Sequence, residues 1–565
     1  MERLTGESVR AWAAAATRAL DNERGPIDSL NVFPVADADT GTNLYLTIAQ
    51  GADEVGRLAL DPPVAAALRA FAHGALLGAR GNSGVIASQF LLGLASAAEQ
   101  ADPGAVHGAD VAAPMRELGA HALAGALAEA QRAARAAVAR PVEGTILTAA
   151  TAAAACARAA ADAGAGLAAT VLAALAGARD ALARTPDELA VLRAAQVVDA
   201  GAAGLVVILE ALVVVVTGAP APGASPIAPR GAAASGTGTA ADPGAEPTGT
   251  AGESGSDGEF EVMYVVESAD PGYGARLSAR LQALGESVAV VGGDGTWHAH
   301  VHADDPAAAV AAGATGADRS ATGAAAGSAA QRQIMVRHLG RLVAARPATC
   351  AGGDARPAAG RLGLVAGTRA PALLRQLARS GAVVMVLDDA GPGDVGSGDA
   401  GSGDAGTGGA VSAASVLRAV VDTGAGTVAV LPGSAAAHAA ALAIDSPLAV
   451  HVFDAVDDIH VVAGLAAAAA LDGSDDVAGT LAAIGAAVGG VRTAQVGARD
   501  VDRTAVVADE LVAAGGEVLT VLRGAGVQDG VLAGLVGHLS RAHPALEVVV
   551  LDGGQASPAI ALGVE

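Results

Sequence analysis

Residues 1–217 leave little choice of secondary structure, and they constrain the chain more than any other stretch. Apolar positions recur there at three- and four-residue spacing, as in Val9-Trp12-Ala13-Ala16 and Leu68-Phe71-Leu76. That spacing predicts helices with one buried face. Long alanine-rich helices are expected over 115–140 and 145–163, with short Gly- or Pro-containing breaks between them. The pattern suits an antiparallel helical bundle or barrel. Residues 197–216 are apolar enough to suggest a membrane span, but they include Asp199, Glu210 and two glycines. Aromatic belt residues and flanking positive charge are both missing, so a buried helix is expected and no integral membrane segment.

Polar residues collect at four breaks in this helical region. The first carries Asp37 and Asp39 after an apolar run containing Pro34, followed by Thr40, Gly41, Thr42 and Asn43. Carboxylates on alternate residues of a turn can converge on a hard cation such as Mg²⁺. The same pattern also serves as a solvated turn or a helix N-cap. A calcium loop fails on spacing: counted from Asp37, glycine falls fifth instead of sixth and the twelfth residue is Ile48 instead of Glu. The second break is Gly78-Ala79-Arg80-Gly81-Asn82-Ser83-Gly84, whose successive N–H groups could cradle an anion or simply join two helices. The third runs from Arg140 through Glu143 to Thr145. The fourth, Val198-Asp199-Ala200-Gly201-Ala202-Ala203-Gly204, sets an acid beside residues small enough to admit a flat ring.

The chain contains no lysine. That excludes a Walker A loop, a Schiff-base lysine and a kinase-type phosphate-clamping lysine. If a nucleotide binds, metal ions, backbone N–H groups and arginine must supply the positive charge. A formal net charge of −24, with no basic stripe, argues against nucleic acid. The two cysteines, Cys156 and Cys350, exclude a disulfide framework and suit a reducing compartment. With no signal-peptide core after Met1, a cytoplasmic location is expected.

At 565 residues several domains are expected. Residues 218–257 are Pro, Gly, Ala, Ser and Thr with scattered acids, the composition of a flexible linker. Residues 258–346 read as a small α+β domain, with strands over 260–266, 287–291 and 297–302, a helix over 273–284 and a closing helix over 331–342. Residues 347–360 form a second linker. From 361 to 565 strands at 362–366, 383–387, 427–431 and 449–453 alternate with alanine-rich helices, which predicts a parallel or mixed α/β sheet. Residues 390–410 interrupt it as a Gly-Ser-Asp-Ala repeat. Two further strands are expected at 517–523 and 546–552.

Together and in this order, LNVFPVADADTGTN, GARGNSGV, PVEGTILT and VVDAGAAGL resemble the signatures of the DhaL-type nucleotide-binding domain. They are most similar to its form in the ATP-binding subunit of bacterial fatty acid kinase. His300-Val301-His302 resembles that subunit's middle-domain element, and Leu551-Asp552-Gly553-Gly554-Gln555 its closing turn. The C-terminal region is similar to DegV-like domains, whose role in such a subunit is structural or in partner docking.

The resemblance implies a multidomain chain: an all-α eight-helix barrel, an α+β middle domain and a DegV-like α/β domain. It implies ATP at one end of the barrel, with Asp37 and Asp39 holding two Mg²⁺ ions. Thr40, Thr42, Asn43 and the turn Gly81-Asn82-Ser83-Gly84 would lie at the phosphates, with Thr145, Asp199 and Gly201 nearer the nucleoside. The acceptor would be a fatty acid held by a separate DegV-like binding protein, giving an acyl phosphate, and the subunit would be a homodimer. A glycerone (dihydroxyacetone) kinase-type subunit and a non-catalytic nucleotide sensor or scaffold are the alternatives. Against the glycerone type, no histidine lies near the DADTG turn to hold a small carbonyl substrate.

The chain departs from the family at defined places. The usual PDGD turn has Ala36 and Ala38 for its proline and glycine; losing the glycine matters only where φ is positive. The third aspartate of the dihydroxyacetone kinase subunit corresponds to Val32, which leaves a third metal ligand unassigned. In the middle domain the zinc-binding cysteine of some relatives corresponds to Glu261. Glu261, His300 and His302 could still hold a structural Zn²⁺, although His298 stands beside them and histidines on an exposed edge strand are the other reading.

Overall fold

Helix α1 (Gly6–Leu30) begins where Thr5 turns extended and its hydroxyl accepts the Ser8 N–H at 3.2 Å, an N-cap that satisfies one of the orphan donors of the first turn. The computed structural model describes residues 2–33, 38–100, 116–138, 140–222, 258–293, 295–314, 330–344, 361–387, 411–446, 448–471, 476–497 and 501–565. The linkers expected at 218–257 and 347–360 and the insertion at 390–410 therefore lie wholly or mostly outside the described residues. Those residues group into two units, one drawn from Met1–Asp257 with Ser287–Gly293, the other from Gly258–Glu286, Asp294–Arg346 and Gly352–Glu565.

In the first unit α1 is followed by α2 (Thr40–Gly56), α3 (Val64–Gly78), α4 (Gly81–Gln100), α5 (Ala120–Ala136), α6 (Ile146–Asp162), α7 (Leu167–Glu188), the short α8 (Ala190–Ala195) and α9 (Ala200–Thr217). Two-residue strands β1 (Leu4–Thr5) and β2 (Glu117–Leu118) pair antiparallel. Each long helix packs on the next in sequence, and α9 packs on both α7 and α1, so the row of helices closes on itself. Alanine, leucine and valine fill the interior, where short side chains allow helices to approach closely. Two larger anchors tie the closure: the Trp12 indole donates to the Ile208 carbonyl at 2.9 Å and meets the Phe71 ring edge-on. Helix α9 is long and apolar enough to cross a membrane, yet 78% of it is buried within the protein. Its Glu210 is held by Arg179 of α7 at 2.7 Å, which is how a charge survives in such a helix.

The second unit contains β3 (Phe260–Glu267), α10 (Tyr273–Gln282), the first two residues of β4 (Gly285–Gly293, grouped from Ser287 onward with the first unit), β5 (Thr296–Ala303), α11 (Pro306–Ala314), β6 (Ala330–His338) and α12 (Leu339–Ala344). There follow β7 (Leu362–Thr368), α13 (Leu374–Arg379), β8 (Ala382–Val386), α14 (Ala413–Asp422), β9 (Thr427–Leu431), α15 (Ala435–Leu442) and β10 (Ala449–Val452). One mixed sheet takes all eight strands in the order β10-β9-β7-β8-β6-β3-β5-β4. Strands β10, β9, β7 and β8 run parallel, and β8 then pairs antiparallel with β6 through Met335↔Met385 and Val336↔Val384. The middle region and the start of the α/β region therefore share one sheet, and Met335 packs in one core with Val365, Val383 and Val430.

The helix expected over 331–342 is instead strand β6, with only Leu339–Ala344 helical. Ile334, Met335, Val336 and Arg337 are buried in succession. A run of that kind has no period to separate helix from strand, and pairing with β3 and β8 decides the matter.

The chain ends in α16 (Asp458–Ala469), α17 (Val477–Gly490), β11 (Arg492–Val496), α18 (Val501–Ala513), β12 (Val518–Arg523), α19 (Asp529–Ala542), β13 (Glu547–Asp552) and β14 (Ile560–Val564). A second sheet has the order β11-β14-β12-β13, with β12 and β13 parallel and β14 antiparallel to both its neighbours. Its outer strand β11 and central strand β14 had no counterpart among the expected strands.

Candidate functional site

Four helix N-termini meet at one end of the first unit. Asp39 is the N-cap of α2, and its carbonyl accepts the Asn43 N–H at 2.7 Å. Asp37 lies outside the described residues. Thr40 and Asn43 are buried, and the Asn43 amide nitrogen stands beside Gly81. Gly81 opens α4 at a φ of +54°, and a Cβ there would meet that nitrogen at 2.4 Å. Only glycine suits both the left-handed backbone and the close approach. Thr47 is a second link between the two helices. Its hydroxyl donates to the Asn43 carbonyl at 2.7 Å and accepts the Arg80 N–H at 3.3 Å. Asn82 and Ser83, in the first turn of α4, are half-buried.

The other two N-termini belong to α6 and α9. Thr145 caps α6: its oxygen accepts from Leu147 N–H at 3.4 Å while its hydroxyl donates to the Val142 carbonyl at 2.8 Å. Asp199 caps α9, accepting the Ala202 N–H at 2.7 Å, and it also accepts backbone N–H groups of Gly201 and of Ile146 across on α6. One buried carboxylate thus ties two helix starts together, while the Asp199 N–H donates to the Thr185 hydroxyl at 3.0 Å. Burial pushes the Asp199 carboxyl up to about 6, against the pull of those N–H groups. Gly204 brings α9 against α2, since a Cβ there would meet the Leu44 side chain at 2.1 Å. The four starts belong to one cluster, and the backbone N–H groups of helix starts can receive an anion without a lysine.

Asp28, which the sequence reading did not single out, stands at the same place. Its Oδ1 accepts the Thr42 N–H at 2.9 Å and its Oδ2 accepts the Thr42 hydroxyl at 2.7 Å. Thr42 therefore has no hydroxyl hydrogen to spare for a phosphate, although its oxygen can face a cation. Desolvation pushes the Asp28 carboxyl up to about 7; the hydrogen bonds from Thr42 oppose this and the nearby Asp39 charge adds to it. Ala38 adopts a φ of +49°, so the position where the resembled turn carries glycine does need a left-handed backbone.

In the second unit, Glu261, His300 and His302 form the one group of three potential metal ligands found among the described residues. Their ligand atoms lie within 4.8 Å of one another. Register explains the grouping: Glu261 of β3 faces His302 of β5 on one side and Arg337 of β6 on the other. Strand β5 lies between β3 and β4, and His298, His300 and His302 are all buried. The exposed edge-strand reading is thereby overturned. Glu261 Oε2 accepts from Arg337 Nε at 2.5 Å, and Oε1 lies 3.5 Å from His300 Nδ1. Burial, with His302 and Arg337 nearby, holds the His300 imidazole well below its usual range and hence neutral.

Comparison with known proteins puts a class on this arrangement. Residues 34–214 match the DAK2 domain model, and residues 257–318 match the model for the middle domain of fatty acid kinase A-like subunits. The chain carries a DAK2 domain of DhaL type followed by a middle domain of that kind. It is similar to Protein YloV of Bacillus subtilis, 35% identical over 207 residues, 37% of this chain and 35% of that protein. An uncharacterized protein of Staphylococcus haemolyticus is 34% identical over 218 residues, 39% of this chain and 37% of that protein. The matched stretch spans little more than a third of either relative. Among solved structures, dihydroxyacetone kinase from C. freundii in complex with AMP-PNP and Mg²⁺ aligns with a TM-score of 0.27 and 21% identity, over 36% of this chain and 33% of that one.

Proposed function

We propose that this chain is the ATP-binding subunit of a kinase that phosphorylates a fatty acid carboxylate presented by a separate DegV-like acyl-binding protein. The observation that carries the nucleotide half is the meeting of four helix N-termini in a lysine-free chain, beside the carboxylate of Asp39. Backbone N–H groups there suit phosphate oxygens, and acids beside them suit the Mg²⁺ that accompanies ATP. Asp37 and Asp39 would hold two such ions, which when bound neutralise charge on the transferring phosphoryl group. The Gly81–Gly84 turn offers backbone donors, and Thr42 offers an oxygen to a cation. The family model matching the middle domain supports the fatty acid as acceptor.

The test is calorimetric titration of Mg²⁺-ATP followed by turnover with candidate acyl carriers. Asp39→Asn, alone or with Asp37→Asn, should weaken Mg²⁺-ATP binding at least tenfold and abolish transfer while the circular dichroism spectrum is kept. A double variant that still transfers phosphate would sink the assignment. Tight binding without transfer to any carrier would favour a sensor, and transfer to dihydroxyacetone would favour the glycerone kinase type.

We also infer a structural Zn²⁺ at Glu261, His300 and His302. The donor set fits: both His300 ring nitrogens lack a hydrogen-bond partner and Glu261 keeps one oxygen beyond its pair with Arg337. Metal analysis of the purified protein should return one zinc per chain, lost in His300→Ala; a metal-free wild type would refute it.

A further inference from the structure

Helices α3 and α4 are joined by two residues, Ala79 and Arg80. Arg80 lies outside both helices, and its buried N–H takes a side-chain acceptor, the Thr47 hydroxyl of α2, at 3.3 Å. The same hydroxyl donates to the Asn43 carbonyl one turn back at 2.7 Å. That bond fixes the Thr47 rotamer and leaves the oxygen's lone pairs for the Arg80 N–H. Gly84 completes the fit: a Cβ there would stand 2.3 Å from Thr47 Oγ1, so the first turn of α4 rests directly on the hydroxyl. Asn43, four residues earlier on the same face of α2, meets Gly81 in the same way. Two side chains of α2 therefore hold the Arg80–Gly84 turn at several points. Thr47 has no exposed surface and stands out of a ligand's reach, so any effect it has on binding passes through the turn.

We propose that Thr47 is a positioning residue of the phosphate end: its hydroxyl pins the Arg80–Gly84 turn to α2 and thereby sets where the Asn82 and Ser83 N–H groups meet phosphate oxygens. The ligand half of this inference rests on the Mg²⁺-ATP reading above; the pin itself does not. One atom must both donate and accept. Valine keeps the shape and makes neither bond, whereas serine keeps the hydroxyl that makes both. Asn82 and Ser83 lie in the first turn of α4, whose N–H groups have no intrahelical acceptors. Without the pin these donors move with the turn.

Two measurements on the full chain test this. Hydrogen exchange at the Arg80 amide, without nucleotide, reads the pin. Thr47→Val should lower its protection about tenfold, the worth of one buried hydrogen bond, and Thr47→Ser should keep it within about threefold. Unchanged protection in Thr47→Val would overturn the proposal. Thr47→Ala, with a smaller side chain, gives the same reading where valine disturbs the packing. Calorimetric titration of Mg²⁺-ATP, with exchange at the Asn82 and Ser83 amides at saturation, reads the consequence. Binding should protect both amides in the wild type. Thr47→Val should bind about tenfold more weakly and leave them unprotected even at saturation, and Thr47→Ser should restore both. Equal affinity in Thr47→Val would overturn the proposal, as would wild-type binding that leaves the two amides unprotected. Weaker binding with full protection at saturation would also overturn it, because Thr47 would then act through helix stability alone. No binding by the wild type would refute the nucleotide reading, while the Arg80 amide would still judge the pin.

Discussion

Ala38 stands at a φ of +49° between the two aspartates of the turn. An L-residue with a Cβ holds that conformation at a cost of about 1–2 kcal/mol, which glycine largely escapes. Ala38→Gly should therefore stabilise the first unit by about 1 kcal/mol, after the extra freedom glycine gains in the unfolded chain. Thermal unfolding would check this, and a lower melting temperature would contradict it. The aspartate pair was legible because alternate acids beside Gly and Thr are a pattern. Asp28 was not, since an acid near the end of an amphipathic helix looks like an ordinary surface residue. The available signal was its position against the dipole of α1. The histidine row was legible from its period of two, but its burial depended on which strand became the neighbour.

The helices of the first unit were legible as elements, because their period runs over several turns. Their meeting at one end followed only from packing, at contacts such as Gly81 on Asn43 and Gly204 on Leu44. The acids that join these elements carry a pH dependence. Asp28 and Asp199 have carboxyls raised to about 7 and about 6 in the folded protein, against an ordinary value near 4 in the unfolded chain. The folded state thus binds their protons more tightly. Their contribution is complete below about pH 4 and is lost as pH rises through 6 and 7, by a few kcal/mol in all. A fragment of residues 1–222 should melt at a higher temperature at pH 5 than at pH 8. Replacing both acids by asparagine should flatten that difference; an unchanged slope would refute the assignment.

At the scale of the second unit, the sequence pattern separates a middle region from an α/β region, and most strands are readable within their own stretch, though not β6, β11 or β14. The shared sheet was not readable, because β6 and β8 meet across more than forty intervening residues and strand pairing at such a distance leaves no local mark. A fragment of residues 258–346 would leave the β8-facing edge of β6 open. It should associate on gel filtration, whereas residues 258–565 should not; a monomeric, cooperatively melting short fragment would contradict this. The order of strands also sets an order of events on the ribosome. The first unit can close once α9 has emerged, since α9 packs on α1. Strand β6 then emerges well before β8, and until its partner arrives the growing chain carries an uncovered β-edge. In that interval the nascent chain is most exposed to mispairing, and chaperone binding there would do the most good.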